Sequence, residues 1–214
     1  MAWSGGKDSA LALWEARRRG WPVAGLLTTV TQPYDRISMH GVRTSLLDAQ
    51  ARALGLPCTR VEIPPDCPND VYEERMGRAL VRLREEGVDA VVFGDLFLED
   101  IRAYRERQME GSGLRPLFPL WGRNTAALAR EFLAAGFRAV VVTVDPRQLD
   151  PRFAGREYDA DFLAELPPGV DPCGERGEFH TFVYAGPIFP APVPVRRGEV
   201  VERGGFVFAD LVPE

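Results

Sequence analysis

Segments with strand character alternate with segments with helix character through the first 120 residues of the chain. Near-continuous apolar runs at 23–30 (VAGLLTTV) and 88–95 (VDAVVFGD) are typical of strands that are buried on both faces. The segments at 43–55 and 69–87 carry apolar residues at helical spacing, and each ends at a glycine, a residue that often terminates helices. Because strands joined by crossover helices build a parallel sheet, the alternation predicts a doubly wound α/β domain.

This first domain is placed at residues 1–120 and is predicted to contain a parallel sheet of five strands. The strands are expected at 1–3, 23–30, 58–63, 88–95 and 114–122. From residue 121, one more helix and one more strand are followed by a tail that is rich in proline and glycine and contains short strand-like segments. Residues 121–214 are therefore predicted to form a smaller C-terminal α+β domain that packs over the open edge of the first.

The composition of the chain excludes several classes of function. A net charge of −5 gives no general attraction to the phosphates of nucleic acids. No apolar run approaches the roughly 18 residues that a membrane span requires, and no secretion signal is recognisable. The widely spaced Cys58, Cys67 and Cys173 predict neither a disulfide framework nor a zinc site. We therefore expect a cytoplasmic protein with no membrane partner and no nucleic-acid partner.

The turn at residues 4–9 (SGGKDS) lies between the first predicted strand and a helical segment. Gly5 and Gly6 allow positive φ angles and a close approach of a ligand to the backbone amides. The start of the following helix directs unpaired N–H groups into the same turn, and Ser4 and Ser9 add hydroxyl groups on either side. Since ligands of doubly wound folds bind at the carboxyl ends of strands, the turn is predicted to bind an anion such as a phosphate.

Lys7 is the only lysine of the chain, and the other 25 of the 26 basic residues are arginines. Because the chain uses arginine elsewhere for solvation and surface pairing, its one lysine indicates that a compact point charge is needed at that position. Lysine commonly binds phosphate as such a point charge, so Lys7 is predicted to contact the anion. Asp8 either meets a bound phosphate through Mg²⁺ or water, or caps the helix, and both interpretations stay open here.

The segment SGGKDS resembles the PP-loop of the ATP pyrophosphatases, which bind the pyrophosphate part of ATP and split ATP between the α and β phosphates. Three further segments resemble motifs of the diphthine–ammonia ligase family within that superfamily. They are 38–43 (SMHGVR), 119–124 (PLWGRN) and 173–183 (CGERGEFHTFV). The resemblance spans nearly the whole chain, and the last of these motifs is the more family-specific one.

The resemblance implies an adenine nucleotide alpha hydrolase-like fold with a family-specific C-terminal domain. It also implies ATP and Mg²⁺ as cofactors, with ATP bound by residues 4–9 and Mg²⁺ held by Asp8. The implied reaction adenylates a carboxylate, releases pyrophosphate and AMP, and forms an amide with ammonia. In archaeal and eukaryotic members the acceptor is diphthine, a modified histidine on translation elongation factor 2. The implied partners are ATP, ammonia and this carboxylate substrate, and a homodimer is the assembly considered.

The chain departs from those members in two segments. After Gly94 they tend to carry a segment of Ser, Tyr and Gln type, whereas this chain reads GDLFLEDIRAYRE, which is acidic at Asp95, Glu99 and Asp100. In the last motif, His180 stands where the family commonly has a second glutamate. The resemblance therefore implies activation of a substrate by ATP more directly than it implies diphthine as that substrate. The alternatives are a PP-loop ATPase that acts on another small-molecule acid or on RNA, and a module that binds ATP or AMP without turnover.

The candidate residues for substrate binding lie in the family-like motifs and at the end of the strand at 88–95: His40, Arg43, Gly94, Asp95, Trp121, Arg123, Glu175, Glu178 and His180. The candidates for catalysis are Lys7, Asp8 and Glu178. Glu175 and Glu178, on a glycine-rich loop, either orient the nitrogen nucleophile or cap the backbone. Asp95 either faces the ligand or begins a turn. Arg123 is a candidate partner for a phosphate or a carboxylate, whereas Trp121 is equally suited to packing between the domains.

Overall fold

The computed structural model describes residues 1–32, 34–38 and 40–214. Met39, within the motif at 38–43, lies outside the described residues. The helices are α1 (Lys7–Arg18), α2 (Thr44–Leu54), α3 (Asn69–Glu85), α4 (Glu99–Met109), α5 (Thr125–Ala134) and α6 (Ala160–Glu165), with a 3₁₀ turn at Pro151–Phe153. The strands are β1 (Leu26–Thr31), β2 (Arg36–Ile37), β3 (Cys58–Ile63), β4 (Ala90–Val92), β5 (Arg115–Leu117), β6 (Arg138–Val144), β7 (Phe179–Ala185), β8 (Val195–Arg203) and β9 (Phe206–Pro213).

The N-terminal half contains two groups of parallel strands. In the first, β1 pairs with β3 in parallel and carries the short antiparallel β2 on its other side. In the second, β4 pairs with β5 in parallel. The first three residues run between the two groups: the N–H of Trp3 donates to the carbonyl of Leu27 at 2.8 Å, and the N–H of Ala2 donates to that of Val92 at 2.9 Å. The predicted α/β character is thus confirmed, whereas one continuous five-stranded sheet stays a prediction.

Two of the predicted strands are shorter than the sequence suggested. β4 ends at Val92, two residues before Gly94, where the chain passes over the start of α1. A Cβ atom on Gly94 would lie 2.9 Å from the carbonyl carbon of Asp8, so only glycine allows this approach. β5 ends at Leu117, because the following residues form a turn in which the N–H of Trp121 donates to the carbonyl of Phe118 at 3.3 Å.

The C-terminal half forms a separate antiparallel sheet in the order β7-β6-β9-β8. The sequence predicted β6, β7 and β9, but it did not predict β8. Most of the side chains of β8 are exposed, so this strand lacks the apolar alternation by which strands are recognised. The antiparallel sheet with α5 and α6 agrees with the α+β character expected for this half.

The largest hydrophobic core cluster contains residues from both halves of the chain. Trp3 and Leu13 from the N-terminal half belong to it, and so do Phe132, Val141 and Phe182 from the C-terminal half. Packing of this kind holds the antiparallel sheet against α1 and brings β7 next to the glycine turn. Among the residues that the structure describes, no helix is both long and apolar enough to cross a membrane.

Candidate active site

The turn at residues 4–9 leads directly into α1, and its two glycines are required by close packing. Gly6 is the N-cap of α1, and no side chain caps the helix there. Gly5 has φ +78°, and a Cβ atom on it would lie 2.7 Å from Oε1 of Gln50. A Cβ atom on Gly6 would lie 2.9 Å from the carbonyl oxygen of Thr181. The alternative that Asp8 caps the helix is wrong, because the chain enters the helix two residues earlier.

Two other elements hold the turn in place. From β7, the Thr181 hydroxyl oxygen accepts a 3.0 Å hydrogen bond from the N–H of Lys7, and the N–H of Val183 donates to the carbonyl of Gly5 at 2.9 Å. From α2, the fully buried amide of Gln50 donates to the carbonyls of Gly5 (3.1 Å) and Val183 (2.6 Å). The oxygen of the same amide accepts from the indole N–H of Trp3 at 3.0 Å. The backbone of the turn is therefore fixed before any ligand binds.

Lys7 is only 2 % exposed and its ammonium group has two protein partners. Nζ donates to Oδ2 of Asp8 at 2.7 Å and to the carbonyl oxygen of Cys173. Burial opposes the charge of the ammonium group, but the Asp8 carboxylate more than offsets this effect, so the pKa of Lys7 is raised. Lys7 thus stays charged at the head of the turn.

Asp8 and Asp95 each present a buried carboxylate oxygen that has no hydrogen-bond partner among the described residues, Oδ1 in Asp8 and Oδ2 in Asp95. Gly94 brings the two residues near each other, because its backbone packs against that of Asp8. Burial raises the pKa of both carboxyl groups, and Lys7 and Arg105 respectively oppose this shift. The Asp8 carboxylate also raises the pKa of Asp95, as expected for like charges that share one environment.

Glu175 and Glu178 have different surroundings, although both lie on the loop before β7. Glu175 lines the cavity, and its carboxylate accepts a 2.7 Å hydrogen bond from the N–H of Leu96. Burial raises the pKa of Glu175 to about 7. Glu178 is 2 % exposed, and its two oxygens accept from the N–H groups of Asp171 and Arg176, both at 2.9 Å. The carboxylate of Glu178 therefore orders the loop and does not line the cavity.

His40 and His180 lie next to each other, with ring centroids 4.5 Å apart. Burial and the neighbouring His180 hold the pKa of His40 well below its usual value, and burial lowers the pKa of His180 to about 4. Nδ1 of His40 is buried and has no hydrogen-bond partner within the described part of the chain. Both rings are therefore neutral near pH 7, and they offer hydrogen bonds without charge.

With the exception of Glu178, the charged and imidazole groups described above line one cavity of about 800 Å³. Its polar end contains the predicted site residues Ser4, Lys7, Asp8, Ser9, His40, Gly94, Asp95, Glu175 and His180. Its other end has an apolar wall of Ile63, Met76, Leu80, Phe93 and Met109, and the polar side chains of Asn69, Tyr104 and Gln108 also line it. A cavity of this size, with convergent polar groups at one end and an apolar wall at the other, is suited to a small molecule that has both characters.

Apart from Glu178, three predicted substrate-binding residues lie outside the cavity and have partners elsewhere. Arg43 pairs with Asp210 of β9 at 2.6 Å, Arg123 pairs with Glu131 of α5, and the Trp121 ring lies under the guanidinium of Arg102 at 4.8 Å. The Arg43 pair, which Arg36 joins through a 2.9 Å contact to Asp210, fastens the segment before α2 to the C-terminal sheet. These contacts give Arg43 and Arg123 structural partners on the protein itself.

Sequence reasoning did not single out Gln50, Thr181 or Arg105. Thr181 lies inside the motif at 173–183, so the motif marked its segment but not its role. Gln50 lies among alanine and leucine residues on the buried face of α2, and a polar residue on such a face is the signal that was available. Arg105 lies in the charged segment after Gly94, and the structure places it in the cavity lining.

Comparison with known proteins finds the same family in both halves of the chain. A family model described as the diphthamide synthase N-terminal domain matches residues 1–116, and one described as the diphthamide synthase C-terminal domain matches residues 124–208. Proteins named diphthine–ammonia ligase from Bos taurus and Homo sapiens are each 27% identical to this chain, over 97% of the chain and 86% of the relative. A protein of the same name from Danio rerio is 29% identical over 97% of the chain and 90% of the relative.

Proposed function

The chain belongs to the diphthamide synthase family, and on this basis we propose that it is an ATP-dependent ligase that forms a carbon–nitrogen bond. In the first step, a carboxylate oxygen of the acceptor attacks the α-phosphorus of ATP, and the bond to pyrophosphate breaks. In the second step, ammonia attacks the acyl carbon of the adenylate, AMP leaves, and the nitrogen loses a proton. The observation that carries this proposal is the buried glycine turn with Lys7, which opens into a cavity with one polar and one apolar end.

The turn at residues 4–9 would bind the phosphates of ATP, and the apolar end of the cavity would receive the adenine base. The start of α1 adds its dipole to the charge of Lys7, and both favour an anion at this position. Attack on the α-phosphorus depends mainly on positioning the reactants and on neutralising charge. Lys7 would stabilise the pyrophosphate as it leaves, because its ammonium group is buried and its position is fixed by Asp8 and Cys173.

Asp8 and Asp95 are the residues that would hold Mg²⁺. Each has a buried carboxylate oxygen without a hydrogen bond, and such oxygens are the ligands that Mg²⁺ prefers. Within the described ranges there is no cluster of three or more metal-ligating side chains, which suits an ion that is bound by one or two carboxylates together with phosphates. When bound, Mg²⁺ neutralises phosphate charge.

Glu175 is suited to receive the proton that the attacking nitrogen releases. Its pKa of about 7 means that a substantial fraction is ionised at neutral pH, while the conjugate acid is weak enough to hold the proton that it receives. His40 and His180 remain neutral and would orient the acceptor or the nitrogen by hydrogen bonding. Ammonia is thus expected to bind at the polar end of the cavity.

The acceptor acid is proposed to be diphthine on elongation factor 2. The names of the relatives from Bos taurus, Homo sapiens and Danio rerio support this assignment. The acidic segment after Gly94 and His180 are the features of this chain that would adapt the site to its own acceptor.

We also propose a domain division at residues 1–120 and 121–214. The backbone hydrogen bonds of residues 1–3 to Leu27 and Val92 support a central strand between β1 and β4, and hence one doubly wound sheet of five strands. The antiparallel order β7-β6-β9-β8 supports a distinct second domain.

The proposal is tested by incubating the protein with ATP, Mg²⁺, ammonium chloride and diphthine-bearing elongation factor 2, and by measuring AMP, pyrophosphate and the amide product. We expect the three products in equal amounts, and only when all components are present. ATP binding without product would contradict the ligase function and would indicate a nucleotide-binding module. Product with a small carboxylic acid but not with the diphthine-bearing factor would contradict the acceptor alone.

A further inference from the structure

The described lining of the cavity contains two cationic side chains, Lys7 and Arg105. Lys7 belongs to the glycine turn and already contacts Asp8 and Cys173. Arg105 lies on α4, in the segment in which this chain departs from the diphthine-specific pattern. Among the described contacts, no hydrogen bond or ion pair connects Arg105 to the turn. The two charges therefore serve different positions in one cavity.

Among the described residues, Arg105 has stacking and ion-pair contacts but no hydrogen bond. Its guanidinium lies over the ring of Phe93, 5.2 Å from the centroid, and this stacking fixes the plane of the group. Its Nε is buried and makes no hydrogen bond. The nearest charged oxygen, Oδ2 of Asp95, is 3.8 Å from Nε, which is too long for a hydrogen bond. A buried donor of this kind is costly unless a ligand satisfies it.

The proposed reaction brings two anionic groups into the cavity, the triphosphate of ATP and the carboxylate of the acceptor. The turn and Lys7 account for the first group. A guanidinium has a planar fork of donors that matches a carboxylate in a bidentate arrangement, so Arg105 has the geometry for the second group. We propose that Arg105 binds the carboxylate of the acceptor acid and orients it toward the α-phosphorus, an assignment that rests on the proposed ligase function.

This assignment explains why Asp95 stops short of Arg105. A direct hydrogen-bonded pair would occupy the donors of the guanidinium, whereas a separation of 3.8 Å leaves them directed toward the cavity. If Asp95 also contacts Mg²⁺, the negative charge of its carboxylate interacts with the ion beside the phosphates. The acceptor carboxylate then lies between the guanidinium and the nucleotide, with one oxygen available for attack. Arg105 thus selects an acceptor that carries an ionised carboxylate.

The test compares Arg105→Gln and Arg105→Lys with Arg107→Gln, a matched control. Arg107 is exposed on the same helix and does not line the cavity. Pyrophosphate release is measured at saturating ATP and ammonium chloride while the acceptor is varied. The probes are acetate, succinate, L-glutamate and diphthine-bearing elongation factor 2, and the KM for ATP is measured separately.

For the probe that stimulates the wild type most, Arg105→Gln is expected to raise the acceptor KM about 10–100-fold, as for the loss of a hydrogen bond to a charged group. Arg105→Lys is expected to restore only part of this loss, because an ammonium cannot bind in a bidentate manner. The KM for ATP and the Arg107→Gln variant should stay close to the wild type. An unchanged acceptor KM, or a rise confined to the KM for ATP, would overturn the assignment while leaving the ligase function intact. ATP binding without stimulation by any probe would instead contradict the proposed function, and the assignment with it.

Discussion

The backbone N–H of Lys7 donates a 3.0 Å hydrogen bond to Oγ1 of Thr181, a residue 174 positions further along the chain. This bond connects the first turn of α1 to the central part of β7. It places the motif at 173–183 against the glycine turn, although the two segments are far apart in sequence. The C-terminal sheet therefore supports the N-terminal turn directly.

Thr181→Val should weaken the turn. Valine has nearly the same shape but cannot accept from the N–H of Lys7, and a buried N–H without a partner costs about 1–3 kcal/mol. We expect a loss of this size in the free energy of unfolding in urea, together with weaker ATP binding by calorimetry. Thr181→Ser keeps the hydroxyl and serves as the control. Equal ATP affinities for the valine and serine variants would show that the bond does not position the turn.

Lys7→Ala should reduce AMP formation about 10²–10³-fold, the usual effect of removing one charged stabilising group from an active site. Lys7→Arg should also be impaired, because a planar guanidinium cannot reproduce the contacts that the compact ammonium makes with Asp8 and Cys173. The measurement is AMP formation under saturating substrates. Arg203→Ala, an exposed position at the end of β8, is the control. Turnover by Lys7→Ala at the wild-type rate would refute the assignment of this residue.

Glu175 should make the stability of the fold depend on pH. Its carboxyl group has the ordinary pKa of 4.5 in the unfolded chain and a pKa of about 7 in the folded protein, because burial disfavours the charge. Between these values the folded state binds more protons, so stability falls as the pH rises. Solvent screening reduces the expected loss to about 1–2 kcal/mol.

Glu175→Gln removes this ionisation, so its free energy of unfolding should exceed that of the wild type increasingly from pH 5 to pH 8. Urea denaturation of both proteins at several pH values measures the difference. The amide oxygen of the variant can still accept from the N–H of Leu96, so the loop contact is preserved. Parallel stability curves for the two proteins would rule out a raised pKa at this residue.

Cys173→Ser should leave AMP formation close to the wild-type level. Lys7 contacts the backbone carbonyl of Cys173, which serine retains. Burial raises the pKa of the thiol to about 12, so the group is not a thiolate at neutral pH and cannot act as a nucleophile. Iodoacetamide applied to the native enzyme should likewise not inactivate it through this residue. A loss comparable to that of Lys7→Ala would instead assign a chemical role to the thiol.

The elements that follow local rules were predictable. Helices α2 and α3, which end shortly before Gly55 and Gly87, and buried strands such as β1 and β6 arise from periodicity and turn chemistry between near neighbours. β8 was missed because its side chains are mostly exposed, and β4 was overestimated because the approach of Gly94 to α1 ends the strand early. Both errors occur where contacts distant in sequence override the local pattern.

The sequence by itself determined the α/β character, the glycine turn with its single lysine, and the motifs that carry the family. It did so because these features depend on residues that are adjacent or a few positions apart. Only the tertiary structure decided which polar residues meet: Thr181 and Gln50 fasten the turn, Arg105 enters the cavity, and Arg43 turns away to Asp210. Such partners are chosen by how the sheets and helices pack, and no local pattern in the chain encodes which distant side chain will fill a given space.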